Sequence, residues 1–188
     1  MRVIGGEFRS RVLKSLPGVD VRPTPDRMRE SLFSILAPQL GGAIFLDLYA
    51  GTGAVGIEAL SRGAERAIFV EHKLAAVEVI RGNLKLLGLE KRGRVWHGRA
   101  GSVIPKLERA DIAFLDPPYP LEHEYERAML VLADEPPGLV IAQHSSRFVT
   151  GEQYGVLKRG RVVRQGQGGG QEKRVPGSCT PPPGGATL

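Results

Sequence analysis

Cysteine is nearly absent: Cys179 is the single one among 188 residues. That excludes an internal disulfide and any metal site built from several thiolates, and no metal is expected. No apolar run approaches the roughly 18 residues of a membrane span, so no span is expected either. The opening stretch Met1-Arg2-Val3-Ile4-Gly5-Gly6 lacks the apolar core of a secretory leader, and the expected location is the cytoplasm. There is no internal repeat. Acidic residues are the minority, 20 against 26 Lys and Arg, for a net charge of +6. With a pI of about 9.8, this weakly favours a polyanionic partner. Apolar residues are plentiful at 41%, enough for one main domain with a small appendage.

Asp111 to Leu115 reads as a buried strand, and Asp116-Pro117-Pro118-Tyr119 follows it. Prolines lack the N–H that a paired strand requires, so the chain must leave the sheet here. In open α/β sheets the carboxyl ends of strands are where ligands bind. A carboxylate, a proline carbonyl and an aromatic face presented together suit a planar base with an exocyclic amine. The two oxygens accept the amine's hydrogens and the ring stacks on the base. The plainer alternative is a turn with an acidic cap and a surface tyrosine.

Ile44 to Tyr49 reads as another strand, followed by Gly51-Thr52-Gly53-Ala54-Val55-Gly56 and a helix that Gly63 stops. These glycines fit the dinucleotide fingerprint, which alone is shared by nicotinamide, flavin and S-adenosylmethionine folds. The strand Arg66–Val70 then ends at Glu71, 20 residues beyond Gly51. A carboxylate there can hold both ribose hydroxyls. Helices are expected over 74–87, 102–107 and 123–132, and strands over 94–97 and 139–142. Trp96 and His97 read as packing residues. Alternating strands and helices predict an α/β domain with a parallel sheet.

Residues 2–16 predict a short hairpin, Val3 and Ile4 against Val12 and Leu13, with a basic face that includes Arg9 and Arg11. A solvated edge protected by charge is the alternative. Thr24 and Pro25 predict a helix start, and the helix should bury Met28, Leu32 and Ile35 or Leu36. Arg22, Arg27 and Arg29 cluster at that start, where the helix dipole disfavours cations. They suggest an anion to be held, or else a surface ion-pair network with Asp26 and Glu30. Residues 165–188 hold seven Gly and four Pro among 24, a composition that predicts disorder.

Several blocks together resemble the RsmD-type family of bacterial 16S rRNA (guanine-N2)-methyltransferases. They are Arg2-Val3-Ile4-Gly5-Gly6, Arg22 to Phe33, Leu46 to Gly53, Glu58 to Ala64, and Asp116 to Tyr119. The resemblance runs from residue 1 to about 164. It implies a class I S-adenosylmethionine-dependent methyltransferase fold, Rossmann-like, with a seven-stranded sheet whose final strand is reversed. Its implied organisation is an N-terminal hairpin and basic-helix extension over 1–40, the methyltransferase domain over 41–164, and the tail. It implies S-adenosyl-L-methionine as cofactor. Asp47, Gly51, Thr52 and Gly53 would lie at its methionine end, Glu71 at its ribose, and Arg99 and Ala100 beside its adenine. Asp116, Pro117, Pro118 and Tyr119 would hold the target. Arg9, Arg11, Arg22, Arg27 and Arg29 would face RNA. The implied substrate is the guanine usually numbered 966 of 16S rRNA in the small ribosomal subunit, with a monomeric enzyme and no membrane partner.

The chain departs from the family at Arg99, where Asp or Asn is common, and at Gln143, where an acid is frequent. It departs again after Val163, where the family closes with aromatic-bearing strands; a missing last strand would expose a sheet edge. Three other readings use part of the same pattern. A DNA adenine-N6 methyltransferase would share the tetrapeptide. A nicotinamide oxidoreductase would share the glycines and Glu71. The third is a non-catalytic RNA-binding homologue, crippled by the tail and Arg99.

Overall fold

The computed structural model describes residues 1–16, 26–117, 122–145, 151–167 and 171–180. Its elements in chain order are α1 (Asp26–Leu40), β1 (Ile44–Leu48), α2 (Ala54–Ser61), β2 (Arg66–Glu71), α3 (Leu74–Leu87), β3 (Gly93–His97) and α4 (Ala100–Val103). They continue with a 3₁₀ turn (Ile104–Lys106), β4 (Ile112–Leu115), α5 (Glu122–Asp134), β5 (Leu139–Ser145), β6 (Gln153–Tyr154), β7 (Leu157–Arg159), β8 (Val163–Gln167) and β9 (Gln171–Thr180).

The sheet order is β3-β2-β1-β4-β5-β9-β7-β6, with β8 paired to β9. Strands β3 through β5 run parallel. The chain builds outward from β1 through β2 to β3, then returns to place β4 on the other side of β1. That reversal opens a crevice beyond the carboxyl ends of β1 and β4.

Near-continuous apolar runs are needed because helices cover both faces. Leu46, Leu48, Ile68, Val70, Ala113, Leu115, Val140 and Ala142 face α4 and α5. Phe45, Ile112, Phe114, Leu139 and Ile141 face α1 and α2. Ala67 and Phe69 meet Ile80, Leu84 and Leu87 of α3. In α1 it is Leu36 that is buried, while Ile35 is 39% exposed. Trp96 packs against the α4–α5 side of the core, as a packing residue should.

The N-terminal hairpin is a single bridge, Arg2 with Val12. Its loop is fixed by α2. The buried Glu58 carboxylate accepts the N–H groups of Ile4 and Gly5, each at 2.8 Å. Ser61 Oγ accepts the N–H of Phe8 at 3.0 Å. Gly6, at φ 76°, lies so close that a Cβ would fall 1.9 Å from the Ser61 carbonyl oxygen.

Among the described residues the sheet has nine strands where seven were expected, and two further expectations fail. Arg29, expected to face RNA phosphate, is fully buried. Its Nη2 donates to Asp26 at 2.7 Å and to the Arg2 carbonyl at 2.9 Å, and its Nη1 lies 3.9 Å from Glu58. The helix turns this side chain inward, where Asp26 pairs with it and the buried Glu58 lies nearby. The tail, expected to be disordered from 165, contributes the end of β8 and all of β9. Strand β9 runs antiparallel beside β5, so the edge expected to be open is paired. Backbone N–H and C=O groups of β5 supply the partners that composition does not register. Pro176, which has no N–H, falls where the β5–β9 register shifts, the place such a residue is tolerated.

Candidate active site at the carboxyl edge of the sheet

Asp47 is the penultimate residue of β1 and 2% exposed. Its Oδ2 accepts the Gly56 N–H at 2.8 Å. Gly53, at the N-cap of α2, has no side chain to satisfy that turn, so Asp47 supplies the oxygen from the strand. Burial pushes its carboxyl up to about 7; the Gly56 N–H opposes this, and the nearby Asp116 and Glu71 charges add to it.

The turn after β1 is tight. Tyr49 has φ 64°, unusual for a side chain of its size, and Gly51 and Gly53 have φ 57° and 77°. A Cβ on Gly51 would meet nothing within 4 Å, so this turn borders open space. A Cβ on Gly56 would strike Phe69 at 2.3 Å; the third glycine serves helix-on-sheet packing.

Glu71, 6% exposed, ends β2. Its Oε2 accepts the Gly51 N–H at 2.9 Å, and its Oε1 accepts the N–H groups of His72 and Lys73, each at 2.8 Å. His72 Nδ1 lies 3.1 Å from the same oxygen. The carboxylate is therefore fixed against the glycine turn and faces the same edge. This donor set and the open space at Gly51 fit a ligand with ribose hydroxyls. After β3, Arg99 is the exposed N-cap of α4 and Ala100 is buried.

Strand β4 ends at Leu115, and Asp116 and Pro117 leave the sheet as the prolines require. Asp116 is near enough to Asp47 to raise its pKa. Pro118 and Tyr119 lie outside the described residues, as does Arg22. The structure thus gathers Asp47, Gly51, Thr52, Gly53, Glu71 and Asp116 at one edge. Arg9, Arg11 and Arg27 are exposed on the N-terminal extension and α1. A cavity lined by Ile104, Leu107, Ala110, Val131 and Leu132 lies away from these residues, beside α5 and the 3₁₀ turn.

Two supporting residues escaped the sequence reading. Asn83, fully buried on α3, accepts the Lys14 N–H at 2.7 Å and donates to the Lys14 and Thr52 carbonyls at 3.2 and 3.1 Å. It ties the N-terminal extension to the glycine turn. The Tyr49 phenol reaches Glu124 Oε2 at 3.2 Å, joining the end of β1 to the first turn of α5. Burial, then the Glu124 carboxylate, push that phenol's pKa well above its ordinary value. Asn83 stands in a helical apolar pattern, where one polar residue among buried neighbours was the available signal.

This sheet order and this edge define the α/β class I S-adenosylmethionine-dependent methyltransferase fold. A solved structure titled "Putative methyltransferase yhhF from Escherichia coli" superposes with TM-score 0.79 at 31% identity, covering 96% of this chain and 98% of that one. The profile of the family described as "Conserved hypothetical protein 95" matches residues 1–170, and the chain belongs to that family, the RsmD type. It is 37% identical over 166 residues to the "Putative rRNA methyltransferase YlbH" of Bacillus subtilis, covering 84% of this chain and 89% of that protein. It is 42% identical over 122 residues to the "Ribosomal RNA small subunit methyltransferase D" of Escherichia coli, 63% of this chain and 60% of that one.

Proposed function

We propose that this protein transfers a methyl group from S-adenosylmethionine to the exocyclic N2 amine of a guanine in small-subunit rRNA. The observation that carries this reading is Asp116-Pro117 leaving β4 at the same edge as Asp47 and Glu71, in a chain of this family. When bound, the cofactor supplies an electrophilic methyl group. Glu71 would hold its ribose and the Gly51–Gly53 turn its methionine end, with Asp47 facing the amino group. A cation there favours the ionised form of a carboxyl that burial holds near neutral.

The amine of guanine is a poor nucleophile because its lone pair is delocalised into the ring. Asp116 and the Pro117 carbonyl would accept its two N–H groups and turn the lone pair toward the donor. Tyr119 would stack on the base. Positioning and fixed polar groups do the work, and the base must leave its stack to reach the edge. Arg9, Arg11 and Arg27 would meet phosphates. The test is mass spectrometry of nucleosides from the small-subunit rRNA of a strain lacking this gene. N2-methylguanosine should drop by one position per ribosome and return on complementation. An unchanged nucleoside content would refute the proposal.

A further inference from the structure

One polar side chain at this edge has no role in the scheme above. Gln143, on β5, is 8% exposed. Among the described residues its amide makes no hydrogen bond. The buried side-chain atoms left without a partner among those residues belong to Arg29, Arg66 and Trp96. The Gln143 amide is not one of them, so it reaches the open edge, and a polar group held there invites an explanation. Its place in the sheet supplies one. Strands β4 and β5 pair Leu115 with Ala142, so Asp116 and Gln143 come next, side by side. Alternation, if it continued past Leu115 and Ala142, would put both on the face of the residues two earlier. Phe114 and Ile141, two residues earlier, both lie in the cluster under α1 and α2. Asp47, two residues beyond Phe45 of that cluster, shares the face. On its other side the β5–β9 register shifts at Gln143: Ala142 pairs with Gly177, but His144 with Arg174. Such a bulge locally twists a strand and re-aims side chains beside sites.

We infer that Gln143 is a specificity-determining residue that reads the ring edge of the target base. The inference rests on the guanine-N2 reading and deepens it. With the N2 amine on Asp116 and the Pro117 carbonyl, the next positions along the base are the N1–H donor and the O6 acceptor. An amide side chain offers an acceptor and a donor at matching spacing. Gln143 Oε1 accepts N1–H, and Nε2 donates to O6. A carboxylate at this position offers no donor for O6. Adenine presented by its N6 amine places a lone acceptor at N1 and a C–H beyond it, so only one of the two bonds forms.

The test uses a synthetic RNA hairpin carrying the guanine mapped by the nucleoside experiment, and the same hairpin with 2-aminopurine there. 2-Aminopurine keeps the reactive amine but has no O6 and no N1–H. Single-turnover methyl transfer is measured for the full-length protein and for Gln143→Met, with cofactor affinity and circular dichroism for both. The unmutated protein should favour guanine by at least about tenfold. Gln143→Met should lose about tenfold on guanine, keep its 2-aminopurine rate within about threefold, and bind cofactor normally. A variant that loses equally on both hairpins, or on neither, overturns the role. The unmutated protein alone also decides: equal rates on the two hairpins overturn it whether or not the variant folds. If no guanine is mapped, the functional proposal itself fails before Gln143 is examined.

Discussion

Two carboxylates at the sheet edge carry opposite physical demands. Asp47 is buried, and its carboxyl is held at about 7 against an ordinary 3.8. A carboxyl raised in this way favours the fold while protonated. Its contribution is complete below about pH 4 and is lost as pH rises through about 7. The urea midpoint of the protein should therefore fall between pH 5 and pH 8 more than that of Asp47→Asn, which cannot ionise. Parallel midpoint curves for the two proteins would contradict the assignment. Asp116 instead sits half-buried where the chain leaves the sheet, with little core to lose. Asp116→Ala should keep fold and cofactor affinity while methyl transfer falls at least about a hundredfold, the scale of removing one preorganised polar group. Asp116→Asn should be nearly as damaging, because its amide presents a donor where the amine also donates. Labelled-cofactor turnover beside cofactor titration separates the two effects.

Elements are locked together by close approaches that single residues permit. Helix α2 lies on β2 where Gly56 leaves room for Phe69, which is fully buried and cannot yield. Gly56→Ala should cost about 1–3 kcal/mol through overpacking, read as a lower denaturation midpoint. Helix α1 is joined to α2 and to the N-terminal loop through Arg29, Asp26 and Glu58. Arg29→Met would leave Glu58 with Arg62, at 2.7 Å, and its two backbone donors. Removing one member of a buried charge network costs about 3–5 kcal/mol. This variant should therefore be destabilised, with the salt dependence of RNA binding unchanged. A flattened salt dependence at wild-type stability would return Arg29 to the RNA surface.

At the scale of the molecule, the excess of positive charge has a consequence that salt dependence can test. Arg9, Arg11 and Arg27 are exposed on the extension that Asn83 ties to the glycine turn. If Arg9 and Arg11 meet phosphates, replacing both with Gln should flatten the slope of log K against log salt by about two. Binding of a small-subunit rRNA fragment between 50 and 200 mM salt is the measurement, on the order of the range where such slopes show. An unaltered slope would assign both side chains to the solvated edge of the hairpin.

Much of the fold was legible because it is local. A strand, a glycine turn, a helix and a strand ending in an acid are set by spacing within about thirty residues. The prolines after Asp116 force the chain out of the sheet whatever surrounds them. For these reasons Glu71 and Asp116 could be named from the residues alone, while Asp47 followed from the family resemblance, and the observed edge gathers the three. Other features depend on partners far away in the chain. Arg29 looks like its exposed neighbour Arg27 until the fold buries it, with the Arg2 carbonyl accepting from it and Glu58 of the next helix 3.9 Å away. The composition of 165–188 predicts no order, but β5 offers a row of backbone groups with which 173–179 pair. Gln143, marked in the sequence only as a departure from the family, gains a neighbour in Asp116 when β4 lies beside β5. Residue spacing decided which side chains stand at strand ends; which of them share a face, a buried charge or an edge was decided only by the pairing of segments that the chain itself keeps apart.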